Sequence, residues 1–240
     1  PIAVPSRHFF HLQTMENVSL ENVDQMLDNY NGQEAFEALS KMDRSSEVEW
    51  RLANAIYILS NDIEDAAERR DKINEGFELA ASAFEKDPTN AEAAKQAAML
   101  VGTLSEMASN PLEQMKFGAQ FKKFLDHTIE LAPEPDMVVL HMRGRFSFAI
   151  ASLSWLERTM ACRVFNTLPS CTYDDALKDL LAAEEIYPSL DTLLFIGKAY
   201  LGKGDIDKGH EYLTRVAESE GVDAVDEEQI EEAKKILDDF

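Results

Sequence analysis

A chain of 240 residues, 45% of them hydrophobic, can build one sizeable core or a solenoid of several units, and falls outside the disordered class. Its 23 basic against 45 acidic residues leave a formal net charge of -22, which repels nucleic-acid phosphates and anionic membrane surfaces. The two cysteines, Cys162 and Cys171, make no disulfide framework, and no apolar run approaches the roughly 18 residues that span a bilayer.

Residues 1–18 read as an N-terminal extension that opens on Pro1 without an initiator methionine, so a trimmed chain is expected. Residues 19–240 read as a single all-α helical-repeat domain. It begins with a short helix pair from Ser19 to Met42, broken at Asn31-Gly32. Ser46 with Glu49 looks like a capping box, and it opens a unit over 46–88. That unit pairs a first helix marked by Glu49, Leu52, Ala53 and Ile56 with a second marked by Gly76, Ala80, Ala83 and Pro88. The unit over 90–133 repeats the scheme with Ala94, Ala97, Ala98 and Val101, then Phe121, Leu125, Thr128 and Pro133. Asp136 caps the first helix of a third unit, 136–188, which carries Leu140, Arg143, Gly144 and Ser147. Thr172 with Asp175 is a capping box for its second helix, marked by Ala176, Leu180, Ala183 and Pro188. The fourth unit, 190–221, is the most regular: Leu193, Ile196, Gly197 and Tyr200, a turn at Gly204, then Gly209, Leu213 and Val216.

Intervals of three and four put these side chains on one helix face, the small residue lets the paired helix approach, and the proline marks the turn that follows. Ile230, Ala233, Ile236 and Leu237 give a last amphipathic helix over 226–238, expected to cap the stack. The prolines are spaced more widely than the roughly 34 residues of an ordinary tetratricopeptide unit. The expected fold is therefore a tetratricopeptide-like right-handed superhelix of antiparallel helix pairs with elongated repeats. The extra residues fall at 63–70 and 154–171. The segment from Trp155 to Thr172 is expected to extend a helix and fold back as a loop held against the stack, with Glu157 paired to a nearby arginine.

Chemistry-bearing patterns are weak. Gly197 to Gly204 nearly spells a phosphate-binding loop, but it lacks the terminal Ser or Thr and a preceding strand, so its glycines are read as helix-pair contacts. His8 and His11 could share a face without a third ligand, and His127, His141 and His210 are scattered, so no metal is expected. Cys162 and Cys171 flank Leu168-Pro169 with no base in view and are read as cysteines near a loop. The carboxylates are too numerous to single out a catalytic pair, and an enzyme with a cofactor is not expected.

Charge is uneven. From His141 to Arg163, four arginines, Arg143, Arg145, Arg158 and Arg163, face a single acid, Glu157. From Glu218 to Phe240, ten acids face Lys234 and Lys235. The arginines are the candidate binding surface, since exposed guanidinium groups on the inner helices of such a stack clamp carboxylates or phosphates. The alternative is that they neutralise acids such as Glu157, Asp174 and Asp175. Phe146, Phe148 and Trp155 are assigned to the core. The 13 Phe and 9 Met could line a hollow for acyl chains or simply fill that core.

The run from Trp155 through Glu157-Arg158, Ala161, Arg163, Phe165, Thr167, Pro169, Thr172-Tyr173 and Asp175-Ala176-Leu177 resembles the regulator of microtubule dynamics family. The likeness continues through Ala183-Glu184-Glu185, Pro188 and Gly197-Lys198-Ala199-Tyr200. It reaches back to Trp50-Arg51-Leu52-Ala53 and Leu140-His141-Met142-Arg143-Gly144-Arg145, covering about Trp50 to Val216. Where the family shows Gly-Thr-Pro-Pro, this chain has Asn166-Thr167-Leu168-Pro169. The resemblance implies a helical-repeat domain without enzymatic chemistry. It also implies association with microtubules and spindle poles in the cytoplasm, and a part in chromosome segregation. The implied partners are microtubules or a microtubule-associated protein. Phospholipid is the alternative ligand, because some members are tied to organelles and lipid handling. Tubulin's outer surface is acidic, so a body at -22 is expected to touch it only locally or through a more basic protein.

Overall fold

In a computed structural model, residues 18–165 and 168–239 are described, and they contain twelve α-helices and no strand. The helices start where the sequence offers a side-chain acceptor for an orphan amide. Ser19 caps α1 (Leu20–Asp28), Ser45 caps α3 (Ser46–Ser60), Asp65 caps α4 (Ala66–Lys86) and Asn90 caps α5 (Ala91–Glu106). Asn110 caps α6 (Pro111–Leu131), Asp136 caps α7 (Met137–Ser152) and Ser154 caps α8 (Trp155–Val164). Thr172, Ser189, Asp205 and Asp223 cap α9 (Tyr173–Ile186), α10 (Leu190–Lys203), α11 (Ile206–Ala217) and α12 (Ala224–Asp238). The exception is α2 (Gly32–Leu39), whose Asn31 makes no side-chain cap. The turn before it runs through Tyr30, at φ 58°, and Gly32 already belongs to the helix.

Helices α3/α4, α5/α6, α7/α9 and α10/α11 form successive antiparallel pairs, with the short α1/α2 pair in front and α12 packed on α10 and α11. The first helices of the pairs also touch one another, α1 to α3 to α5 to α7 to α10, and so form the inner layer of a tetratricopeptide-like stack. Each joint buries a cluster of its own: Ala53, Ile73 and Leu100 between the α3/α4 and α5/α6 pairs, Ala176, Leu180 and Ile196 between α9 and α10.

Two glycines repeat one role. A Cβ on Gly144 would stand 2.6 Å from Leu180 Cγ and 3.1 Å from the Ala176 carbonyl. A Cβ on Gly197 would stand 2.7 Å from Leu213 Cγ and 3.3 Å from the Gly209 carbonyl. Only a bare backbone allows that approach. Gly197→Leu is accordingly expected to cost about 1–3 kcal/mol by overpacking, read as a lowered denaturation midpoint; an unchanged midpoint would remove this contact from the account.

Two expectations about helix ends need correction. The α3 cap is Ser45, not Ser46. Glu49 serves no capping box; it is buried against α4, where Lys86 Nζ lies 2.5 Å and Ser82 Oγ 2.9 Å away. The segment from Trp155 to Thr172 does not extend a helix. Ser154 stops α7's run and opens the separate α8, an insertion between the two helices of the third pair. It packs on α6, with Ala161 and Phe165 against Met115.

Candidate binding faces of the stack

The inner layer carries a strip of charge with Arg145 of α7 at its centre. Arg145 Nη1 donates to Asp191 Oδ2 at 2.5 Å, Nη2 donates to Glu106 at the end of α5, and the guanidinium lies 4.1 Å from the Phe195 ring centroid. His141, one turn earlier, sets Nε2 3.0 Å from the same Asp191 oxygen and Nδ1 2.8 Å from Thr192 Oγ1. Lys198 stands 4.5 Å over the Phe195 ring and donates to Glu232 of α12 at 2.7 Å. On α3, burial pushes the Tyr57 phenol up; Asp191, Glu106 and Asp223 push the same way, and Arg145 opposes them. At one mouth of the strip, Arg69 of α4 holds Glu228 of α12 through two bonds of 2.7 Å, 159 residues apart in sequence.

Burial opposes ionisation of Asp191, yet the charges of Arg145, His141 and Lys198 outweigh it and hold the carboxyl well below the usual carboxylate range. A depressed folded pKa stabilises above the unfolded value, about 3.9 for Asp, and that stabilisation is lost as pH falls through it. Wild type is therefore expected to lose stability more steeply than Asp191→Asn below about pH 4. Parallel melting-versus-pH curves for the two proteins would contradict this.

The structure does not gather the four arginines into one free surface. Arg145 is engaged as above. Arg143, two residues earlier, points the other way and forks onto buried Asp179 of α9, at 2.6 and 2.7 Å. Arg158 donates to the Ile150 carbonyl at 2.8 Å, and Arg163 is exposed, with no ion pair to a described residue. The acids met by the two inner arginines are Asp179, Asp191 and Glu106, rather than the sequence neighbours Glu157, Asp174 and Asp175. Asp174 pairs with Lys203, and Asp175 completes the Thr172 capping box. Glu157 is exposed and paired to no described arginine; its carboxylate accepts from the Ser154 amide at 2.8 Å, as the third residue of α8's own capping box. Glu157→Ala should consequently fray α8 and leave the midpoint of the whole stack nearly unmoved, which separate helix and global melts would show.

Trp155, expected in the core, is 81% exposed, with Leu156 beside it at 62%. α8 turns Met160, Ala161 and Val164 to α6, and Trp155 lies off that face. Phe146 and Phe148 do pack, against Phe121 and Phe165 and against Tyr173 and Phe195. The other residues picked out by the sequence have structural roles. Tyr173 fills the space beside Gly202 and Tyr200 stacks on Tyr212 at 5.7 Å, while the Ala176 carbonyl seats Gly144 and Pro169 is half-buried in the loop before α9.

A second face lies outside, where α8 meets α6. Lys116 and Lys123 are exposed there without an ion pair to a described residue, and Lys122 pairs with Asp126 at 2.5 Å. Burial pushes the Cys171 thiol up, against the Ser147 hydrogen bond and the charges of Arg158 and Lys122. His8, His11, Asn166 and Thr167 lie outside the described residues. Two surface hollows, one at residues 203–207 and one along α6 between Asn110 and Gln120, are open to solvent.

The family model "Regulator of microtubule dynamics protein 1-3" matches residues 19–240. Regulator of microtubule dynamics protein 1 of Caenorhabditis elegans is 32% identical over 78% of this chain and 82% of its own length. Regulator of microtubule dynamics protein 2 of Rattus norvegicus is 30% identical over 98% of this chain and 58% of its own. Regulator of microtubule dynamics protein 3 of Xenopus laevis is 30% identical over 78% of this chain and 41% of its own. The chain thus spans most of the worm relative and only about half of the vertebrate ones. Among solved structures, a thermophilic tetratricopeptide protein of Thermus thermophilus superposes with a TM-score of 0.51 at 14% identity, over 89% of this chain and 91% of that one.

Proposed function

This chain belongs to the regulator of microtubule dynamics family, and from that premise we propose that it is a non-enzymatic scaffold acting at the microtubules of the mitotic spindle. The inner wall of the stack holds a segment of a partner protein, while a small outer face meets the acidic microtubule surface. The observation that carries the reading is the strip from Tyr57 to Lys198. Its side chains are half-buried, cross-braced between helices and pinned before any partner arrives, which lowers the ordering cost of binding. Glu106 and Glu232 stay largely accessible beside Arg145 and Lys198, giving the wall an acidic edge suited to a basic segment. Contact with microtubules is local, because the body as a whole carries -22.

Removing the protein from dividing cells tests this. Altered microtubule growth rates and mis-segregated chromosomes, both rescued by the wild-type chain, are the expected result. Normal spindles and normal segregation in its absence would overturn the reading.

A further inference from the structure

The outer face where α6 and α8 meet is set apart by charge. In a chain with 45 acidic residues, neither 114–125 nor 158–173 contains one. These two stretches are neighbours in space: Met115 packs with Ala161 and Phe165, and the Phe165 ring reaches within 3.7 Å of where a Gly118 Cβ would stand. Lys116, Ala119 and Lys123 follow one another at intervals of three and four along α6, so both lysines flank the seam to α8. On α8, Trp155, Thr159 and Arg163 recur at intervals of four and are all exposed. The seam therefore offers three cations without a carboxylate partner among the described residues, Lys116, Lys123 and Arg163, with a bare tryptophan and leucine at one end.

We propose that this seam is a docking site for an acidic peptide segment of a partner protein, with carboxylates on Lys116, Lys123 and Arg163 and an apolar residue on Trp155 and Leu156. Charge complementarity selects the occupant, because unpaired cations beside an exposed aromatic attract carboxylates and stack an apolar side chain. The ten residues of α8 span about 15 Å, the reach of about five extended residues, so a short run of acids suffices. A flat anionic membrane fits less well. It would press on the carboxylates that border the two acid-free stretches, Glu113, Asp126 and Glu157. The chemistry of the site stands on this charge map; only the naming of a microtubule as the source of the acids rests on the proposed function.

The test uses the full chain and a labelled glutamate-rich peptide carrying one phenylalanine, read by anisotropy and by tryptophan emission. Trp50 is buried with the Arg51 guanidinium 4.1 Å from its ring centroid, so any emission shift on binding reports Trp155. Binding that blue-shifts emission, weakens steeply with salt and falls at least about tenfold in Lys116→Glu/Lys123→Glu/Arg163→Glu is the expected result. Those three side chains make no ion pair with a described residue, so the variant should melt as wild type does, and its melting curve checks this. An affinity untouched by the reversals, an absence of peptide binding at low salt, or binding to phosphatidylserine vesicles in its place would overturn the site. Any of these would leave the spindle experiment to judge the wider function on its own.

Discussion

Arg145→Ala is expected to destabilise the stack by roughly 2–3 kcal/mol, less than the about 3–5 kcal/mol of stranding a fully buried charge because the pair is half-buried, and to lower Tm by roughly 5–10 °C. The guanidinium is the hub on which Asp191 and Glu106 both converge, and it covers the Phe195 ring. Its loss leaves the Asp191 carboxylate with only the His141 contact at 3.0 Å and the more distant Lys198 charge, in a site where burial already opposes ionisation. The companion Asp191→Asn removes the stranded charge, so the double variant should recover much of the loss. Calorimetry of the two single variants and the double one measures that coupling. Additive losses would mean that the pair does not brace α7 against α10. The same argument changes what Arg145 can be used for. Reversing it is a stability experiment, and Arg143, forked onto Asp179, behaves likewise. Neither reports cleanly on a binding surface.

The parts of this fold that can be read from sequence are those governed by local spacing. Gly144 and Gly197 sit four residues after Leu140 and Leu193, and that period alone places a small residue under the paired helix. The Thr172–Asp175 box announces α9 by the same local rule. What stays hidden depends on partners far along the chain. Arg145 meets acids 39 and 46 residues away, and Arg69 meets Glu228 across the whole stack, where no helical period connects them. The separate helix α8 does carry a local signal of its own: Ser154 with Glu157 has the spacing of a capping box, and it marks a new start rather than a continuation. Grouping Trp155 with Phe146 and Phe148 as core overlooks that start, because an aromatic in the first turn of an inserted helix need not face the side that an aromatic in α7 faces. Arg158 and Arg163 belong on an outer face, yet their sequence distance from Lys116 and Lys123 conceals the company they keep there.

The central claim is that the chain touches microtubules through the seam of α6 and α8. Co-sedimentation of the pure protein with purified, stabilised microtubules across a salt series tests it most directly. The attraction should fade as the Debye length shrinks from about 10 Å at 0.1 M to about 3 Å at 1 M, and pelleting should be lost in Lys116→Glu/Lys123→Glu/Arg163→Glu at low salt while that variant still melts like wild type. Pelleting that survives the triple reversal, or wild-type protein that stays in the supernatant at low salt, would contradict the claim.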